Sequence, residues 1–104
     1  MIILSDRSNY SSGTPWESIA GYSRAVRVGN IIEVAGTTAV DAEGQVVGAG
    51  DIGEQTDYIF NKIRNVLNDA GSKMSDVIRT RMYLTDINDW EIVARIHGLS
   101  LIHI

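Results

Sequence analysis

An α+β fold, with helices gathered on one face of a sheet, is predicted by three features of the sequence. Two β-rich runs, Tyr22 to Val28 and Ile31 to Gly36, flank the dipeptide Gly29-Asn30, a two-residue hairpin signal. Downstream, Ile52, Thr56, Ile59, Phe60, Ile63, Val66, Leu67 and Ala70 recur at the 3.6-residue spacing of one helical stripe. Val77 to Thr85 then alternates between two side-chain faces, as a strand does. The predicted order is β-β-(β)-α-β-α.

Each element has a local reason. Ser5 to Ser18 is rich in Ser, Asn, Gly and Thr and reads as an N-terminal loop, with Trp16 and Ile19 expected to pin it to the body. After the hairpin, Asp41-Ala42-Glu43-Gly44 reads as a turn and Gln45 to Val47 as a short third strand. The helix is placed from Ile52 to Ala70: Asp51 with Glu54 supplies a capping-box-like start and Gly71 the stop. In the strand Val77 to Thr85, the face of Ile78, Thr80, Met82 and Leu84 suits packing under a helix. The other face carries Val77, Arg79, Arg81, Tyr83 and Thr85, too polar for a monomer core and too aromatic and β-branched for idle surface. Asn88 with Glu91 opens a second helix, Ile87 can staple onto Ile92, and Gly98 is the expected stop. Trp90, Val93, Ala94 and His97 share its expected buried side. With both helices on one face, the bare face of the sheet points to a homo-oligomer.

Composition bounds the function. At 104 residues the chain has room for a single domain, residues 1–104, with a thin core. Hydrophobic residues at 44% and charged residues at 21% exclude wholesale disorder. A net charge of −4 without a cation cluster argues against nucleic acid as partner. The absence of cysteine removes disulfides, thiolate nucleophiles and zinc–thiolate sites, and fits a cytoplasmic location. Met1 to Ser5 does not read as a signal peptide, and no apolar run approaches the ~18 residues of a membrane span.

The chemistry-bearing residues form no complete catalytic set. Gly48-Ala49-Gly50 lacks the strand and the Lys or Thr of a phosphate cradle and reads as a turn. His97 and His103 have no partner ligand at i+4, so no metal is expected. The hydroxyl pairs Ser11, Ser12 and Thr37, Thr38 have no adjacent histidine to activate them. Arg79 and Arg81 are candidates for binding a carboxylate, or for interface ion pairs.

The stretch from Gly21 to Asn30 (Gly-Tyr-Ser-Arg-Ala-Val-Arg-Val-Gly-Asn), followed by Val34-Ala35-Gly36-Thr37-Thr38, resembles the reactive-intermediate deaminase family, also called RidA or YjgF-like. The likeness continues through Gly48 to Ile52, Gln55-Thr56, Asp69-Ala70-Gly71 and Asp76 to Asp86 to Trp90, covering Tyr10 to Gly98. The resemblance implies a chorismate-mutase-like fold, a mixed sheet with two helices on one face, assembled as a homotrimer with clefts between subunits. It implies hydrolysis of imine or enamine acids to 2-keto acids and ammonia, with no cofactor and no metal. Tyr22 falls where the family places a cleft tyrosine, and Gly36 where a backbone amide faces the ligand. Tyr22 also reads as an interface filler, and Gly36 as a strand-end bulge glycine. The position before the glycine is Ala35 here, where the deaminases often carry serine; Thr37 is the nearby hydroxyl.

After Gly98 the family continues into an Arg-Pro strand that binds the substrate carboxylate and a last strand bearing an acid. The given sequence reads Leu99 to Ile104 there instead, an atypical tail that suggests truncation. The expectation is a sheet incomplete at its C-terminal strands, marginal stability and no deaminase activity in this form. The alternatives are a non-catalytic trimeric scaffold or small-carboxylate binding module and, from some relatives, a ribonuclease or translation inhibitor.

Overall fold

A computed structural model describes residues 6–101 of the chain. Its elements are β1 (Arg7–Tyr10), α1 (Pro15–Ala20), β2 (Ala25–Val28), β3 (Ile31–Val34), α2 (Ile52–Asp69) and α3 (Trp90–Ser100), with 3-10 turns at Met74–Asp76 and Ile87–Asp89. The three strands form one antiparallel sheet in the order β1-β2-β3. The α+β class is therefore as expected. The described ladder is antiparallel throughout, so the expected mixed sheet is not seen.

The hairpin turns where Gly29-Asn30 predicts. Gly29 takes φ +59°, the left-handed value that the first position of a II′ turn requires and a side chain would resist. Direct pairing of Ala25 with Val34 and Arg27 with Ile32 sets these four on one sheet face, and Val26, Val28, Ile31 and Glu33 on the other. On the first face Ile32 and Val34 pack against a core of Phe60, Leu67, Met74 and Leu101, joined by Ile63, Val77 and Ile96. Burying a side chain such as Leu67 is worth about 1.5–3 kcal/mol, so this small cluster is the main apolar source of stability.

Helix α2 follows its sequence signals closely. The Asp51 carboxylate accepts from the Glu54 amide at 3.0 Å, and every residue of the predicted stripe is at least half-buried. At its end Gly71 sits at φ +82°, and the Ser72 amide donates to Leu67 O at 2.8 Å. Arg27 reaches from β2 to the same terminus, donating through Nη1 to the Ala70 carbonyl and through Nε to the Gly29 carbonyl at 3.0 Å. A cation there also suits the negative end of the helix dipole.

Several expectations fail for identifiable reasons. The N-terminal loop contains a strand and a helix. Pro15 at the first helical position of α1 and the Thr14-x-x-Glu17 spacing are its start signals. Ile19 is 82% exposed and Trp16 is exposed as well, so neither anchors the segment. Gln45 to Val47 reduces to a single bridge between Val40 and Val46 around the Asp41 turn. Val77 to Thr85 is not a strand among the described residues: alternation alone does not make a strand without a neighbour to complete the ladder. Ile78 is 98% exposed and Tyr83 84%; of the two proposed faces only Val77, at the edge of the core, and Leu84 are partly buried.

The second helix begins later than Asn88. Asp86 caps the preceding 3-10 turn by accepting from the Asn88 amide at 2.9 Å, and α3 runs through Gly98 to Ser100. Val93 is its buried residue and His97 is half-buried, whereas Trp90 and Ala94 are exposed. Ile87 and Ile92 are both exposed, so the expected staple is not formed. Met1 to Ser5, His103 and the last part of the tail lie outside the described residues.

Glu17, not an apolar residue, fastens the N-terminal segment. Its buried carboxylate accepts from the Ser12 hydroxyl at 2.6 Å, the Thr14 hydroxyl at 2.7 Å and the Ser12 amide at 3.3 Å. Burial by itself pushes this carboxyl up. The hydrogen bonds from Ser12, Thr14 and Ser11 outweigh it and bring the pKa from 4.5 down to about 2. A carboxylate held lower in the folded state stabilises above its unfolded pKa, and the contribution is lost as pH falls through the folded one. Glu17→Gln should therefore destabilise at neutral pH by up to about 3 kcal/mol. The gap from the parent protein should shrink below about pH 4.5 and close near pH 2. Denaturant unfolding of both proteins across that range measures it.

Candidate functional site

Tyr22, Gly36 and Thr37, singled out separately in the sequence, converge on one side chain. Helix α1 ends at Gly21 in the left-handed region, and the Tyr22 amide donates to Glu17 O at 2.9 Å, which turns the chain toward β2. The Ala35 amide donates to Arg24 O at 2.9 Å, extending the hairpin pairing by one residue and carrying Gly36 and Thr37 alongside Arg24.

Arg24 is 2% exposed. Its Nη1 donates to the Gly36 carbonyl and to Thr37 Oγ1 at 3.2 Å, and its Nη2 to the Tyr22 hydroxyl at 3.3 Å. The guanidinium carbon stands 5.5 Å from the Tyr22 ring centroid, in cation–π range. Nη2 is also 3.9 Å from Glu17 Oε2, which supplies the counter-charge that a buried cation requires. Among the described residues Arg24 Nε has no hydrogen-bond partner.

The polar groups of this cluster are unevenly committed. Thr37 Oγ1 donates to the Ala35 carbonyl at 2.9 Å while accepting from Arg24, so both roles of that hydroxyl are filled. The Tyr22 hydroxyl accepts from Arg24, which leaves its own proton to donate. The amides of Gly36 and Thr37 have no protein acceptor among the described residues. Gly36 is exposed, and no atom lies within 4 Å of where its Cβ would be. The cluster thus presents hydroxyl and backbone donors at a surface held from beneath by a buried cation.

Arg79 and Arg81 are not part of it. Both are exposed in the open run from Val77 to Thr85, and neither has an ion pair or hydrogen bond to the cluster. The residues missed by sequence reasoning are Glu17 and Arg24. The Thr14-x-x-Glu17 spacing was the available signal for the first; Arg24, buried next to buried Ala25 just ahead of β2, breaks the alternation and had none.

A cleft of about 380 Å³ lies elsewhere, lined by Ser11, Ser12, Val40, Tyr58, Asn61 and Lys62 among others. Lys62 Nζ donates to the Val40 carbonyl at 3.0 Å. Burial, seconded by the Arg24 charge, holds its pKa below the usual lysine value against the opposing pull of Glu17 and Asp41. Among the described residues no group of three or more His, Asp or Glu could hold a metal, and no helix is long and apolar enough to cross a membrane. His97 bonds the Thr80 hydroxyl at 2.8 Å and meets the Phe60 ring edge-on.

The chain is similar to known proteins in sequence and in fold. The family model described as Endoribonuclease L-PSP matches residues 13–101. A RutC family protein of Pyrococcus abyssi is 42% identical over 72 residues, covering 69% of this chain and 57% of that protein. The chain thus spans less than two-thirds of that relative's length. The 3-aminoacrylate deaminase RutC of Acinetobacter baylyi is 31% identical over 86 residues, covering 83% of this chain and 68% of that protein. In structure, a member of the YjgF/YER057c/UK114 family from Mycobacterium tuberculosis superposes with a TM-score of 0.79 at 41% identity, covering 90% of this chain and 73% of its own. The chain belongs to the endoribonuclease L-PSP family, the YjgF and RutC group of RidA-like proteins.

Proposed function

We propose that the protein is a cytoplasmic RidA-like deaminase that hydrolyses small 2-imino or enamine acids to 2-keto acids and ammonia. The observation that carries this reading is the convergence of Tyr22, Gly36 and Thr37 on buried Arg24, in a chain 31% identical to a 3-aminoacrylate deaminase. An enamine first tautomerises to the imine, its carbon gaining and its nitrogen losing a proton. The oxygen of water then bonds to the imine carbon as the C=N π pair moves to nitrogen, which takes up a proton from that water. The resulting carbinolamine then expels ammonia and closes to the keto group. The substrate is already electrophilic, so the protein needs to orient it, hydrogen-bond it and hold one water.

Tyr22, with its hydroxyl proton uncommitted, is the residue assigned to the reacting end. The free amides beside Gly36 are assigned to a substrate oxygen, with Thr37 fixing the loop that carries them. Arg79 and Arg81 are the candidates for the substrate carboxylate only where a second subunit brings the open run toward a neighbour's cluster. That arrangement is the homotrimer, with clefts between subunits, and it also covers the exposed Ile78 and Tyr83. The alternative, a non-catalytic trimeric carboxylate-binding module, keeps the same cleft and lacks only turnover. A ribonuclease role is disfavoured by the net charge of −4.

The deciding experiment is ammonia release from a 2-imino acid generated freshly in the assay. Release well above buffer supports the enzyme; ligand binding without release supports the module. Given turnover, Tyr22→Phe should lower kcat by about 10²-fold, the lower range for a lost proton-transfer group, and shift the melting temperature little. Unchanged turnover removes Tyr22 from the reacting end. Gly36→Ala meets no neighbouring atom, so its stability should stay within about 0.5 kcal/mol of the parent. A fall in kcat/KM for that variant then reports close approach of a ligand to the backbone. Light scattering at micromolar concentration should return the trimer mass, and a stable monomer would refute the inter-subunit cleft.

A further inference from the structure

Arg24 is a fully buried cation at the centre of the proposed site, yet it cannot itself reach a substrate. We infer that it is a positioning residue that sets two donors at once: the Tyr22 hydroxyl and the Thr37 amide. The inference rests on the deaminase reading for its kinetic consequence, though not for its geometry.

The geometry follows from the peptide plane. The peptide linking Gly36 to Thr37 is trans, so the Gly36 C=O and the Thr37 N–H point in opposite directions. Arg24 Nη1 holds that carbonyl. The Thr37 N–H is thereby turned away from the guanidinium, and it has no protein acceptor among the described residues. The same nitrogen also donates to Thr37 Oγ1, a second point of attachment that prevents the peptide from flipping. The other terminal nitrogen, Nη2, occupies the acceptor side of the Tyr22 hydroxyl. With its lone pair engaged, that hydroxyl has its proton directed outward.

A planar guanidinium can hold both loops in one fixed geometry because its two terminal nitrogens diverge by a fixed angle; an ammonium group has its three donors on a single rotating nitrogen and sets no such angle. Glu17 faces the same Nη2 that serves Tyr22, and its own carboxylate is locked by Ser12 and Thr14. The chain of attachment runs from the N-terminal segment through Glu17 and Arg24 to the two donors.

Arg24→Lys keeps the charge and removes the fork. In kinetics it should lower kcat at least tenfold with KM within about twofold, because misplaced groups lose orientation more than binding. The double variant Arg24→Lys/Tyr22→Phe should lose less than the product of the two single losses. A separate readout needs no activity: in amide and aromatic NMR spectra, Arg24→Lys should shift the Thr37 amide and the Tyr22 ring and leave the core signals of Phe60 and Leu67 in place. If Arg24→Lys fails to fold, Glu17→Gln at neutral pH loosens the fork without removing it and should move the same two signals. Folded variants in which Thr37 and Tyr22 do not move, or in which core signals move equally, would overturn the inference. Shifts at Thr37 and Tyr22 in a protein without ammonia release would uphold the positioning and overturn the deaminase reading alone.

Discussion

The ion pair between Glu17 and Arg24 is the constraint on which the rest of the site depends. Two opposite charges buried together attract each other strongly, but their desolvation makes them a poor source of net stability unless other hydrogen bonds complete them. Here they are completed lavishly on the anionic side and selectively on the cationic side. The anion collects hydroxyls and an amide from the N-terminal segment, and the cation distributes what it receives to two loops. A pair that contributes modestly to stability can still define a single arrangement of the groups around it. The N-terminal segment, already paired to β2 through β1, is in this way joined to the candidate site as well.

The parts of the fold legible in the sequence are those specified by neighbours along the chain. Helix α2 carries its cap, its stripe and its stop within its own residues, and Gly29 alone dictates the hairpin turn. The run from Val77 to Thr85 failed because a strand is a relation between two segments, and alternation describes only one of them. Helix α1 was missed because Pro15 and Glu17 sit among residues whose average composition suggests a loop. At the site, Tyr22, Gly36 and Thr37 were visible through family resemblance. Arg24 lies in the same quoted stretch but had no role assigned to it, since a buried arginine looks, in one dimension, like an exposed one.

The division of labour between the two faces of the hairpin explains why site and core coexist in so few residues. On the side facing α2, Ile32 and Val34 contribute to the core while Arg27 closes the helix terminus. Past the end of the same strands the chain turns polar, and the Gly36 and Thr37 amides, no longer occupied by a ladder, have no protein acceptor among the described residues. The core and the proposed site therefore occupy successive lengths of one hairpin.

Arg27 has a kinetic meaning beyond its capping role. The hairpin closes over two residues and α2 forms from local contacts, whereas the bond from Arg27 to the Ala70 carbonyl joins positions 43 apart in the chain. Loop-closure entropy grows with that separation, so the contact can form only once strand and helix have docked. The bond works as a latch: hairpin and helix can separate only when the Arg27 guanidinium releases the Ala70 carbonyl.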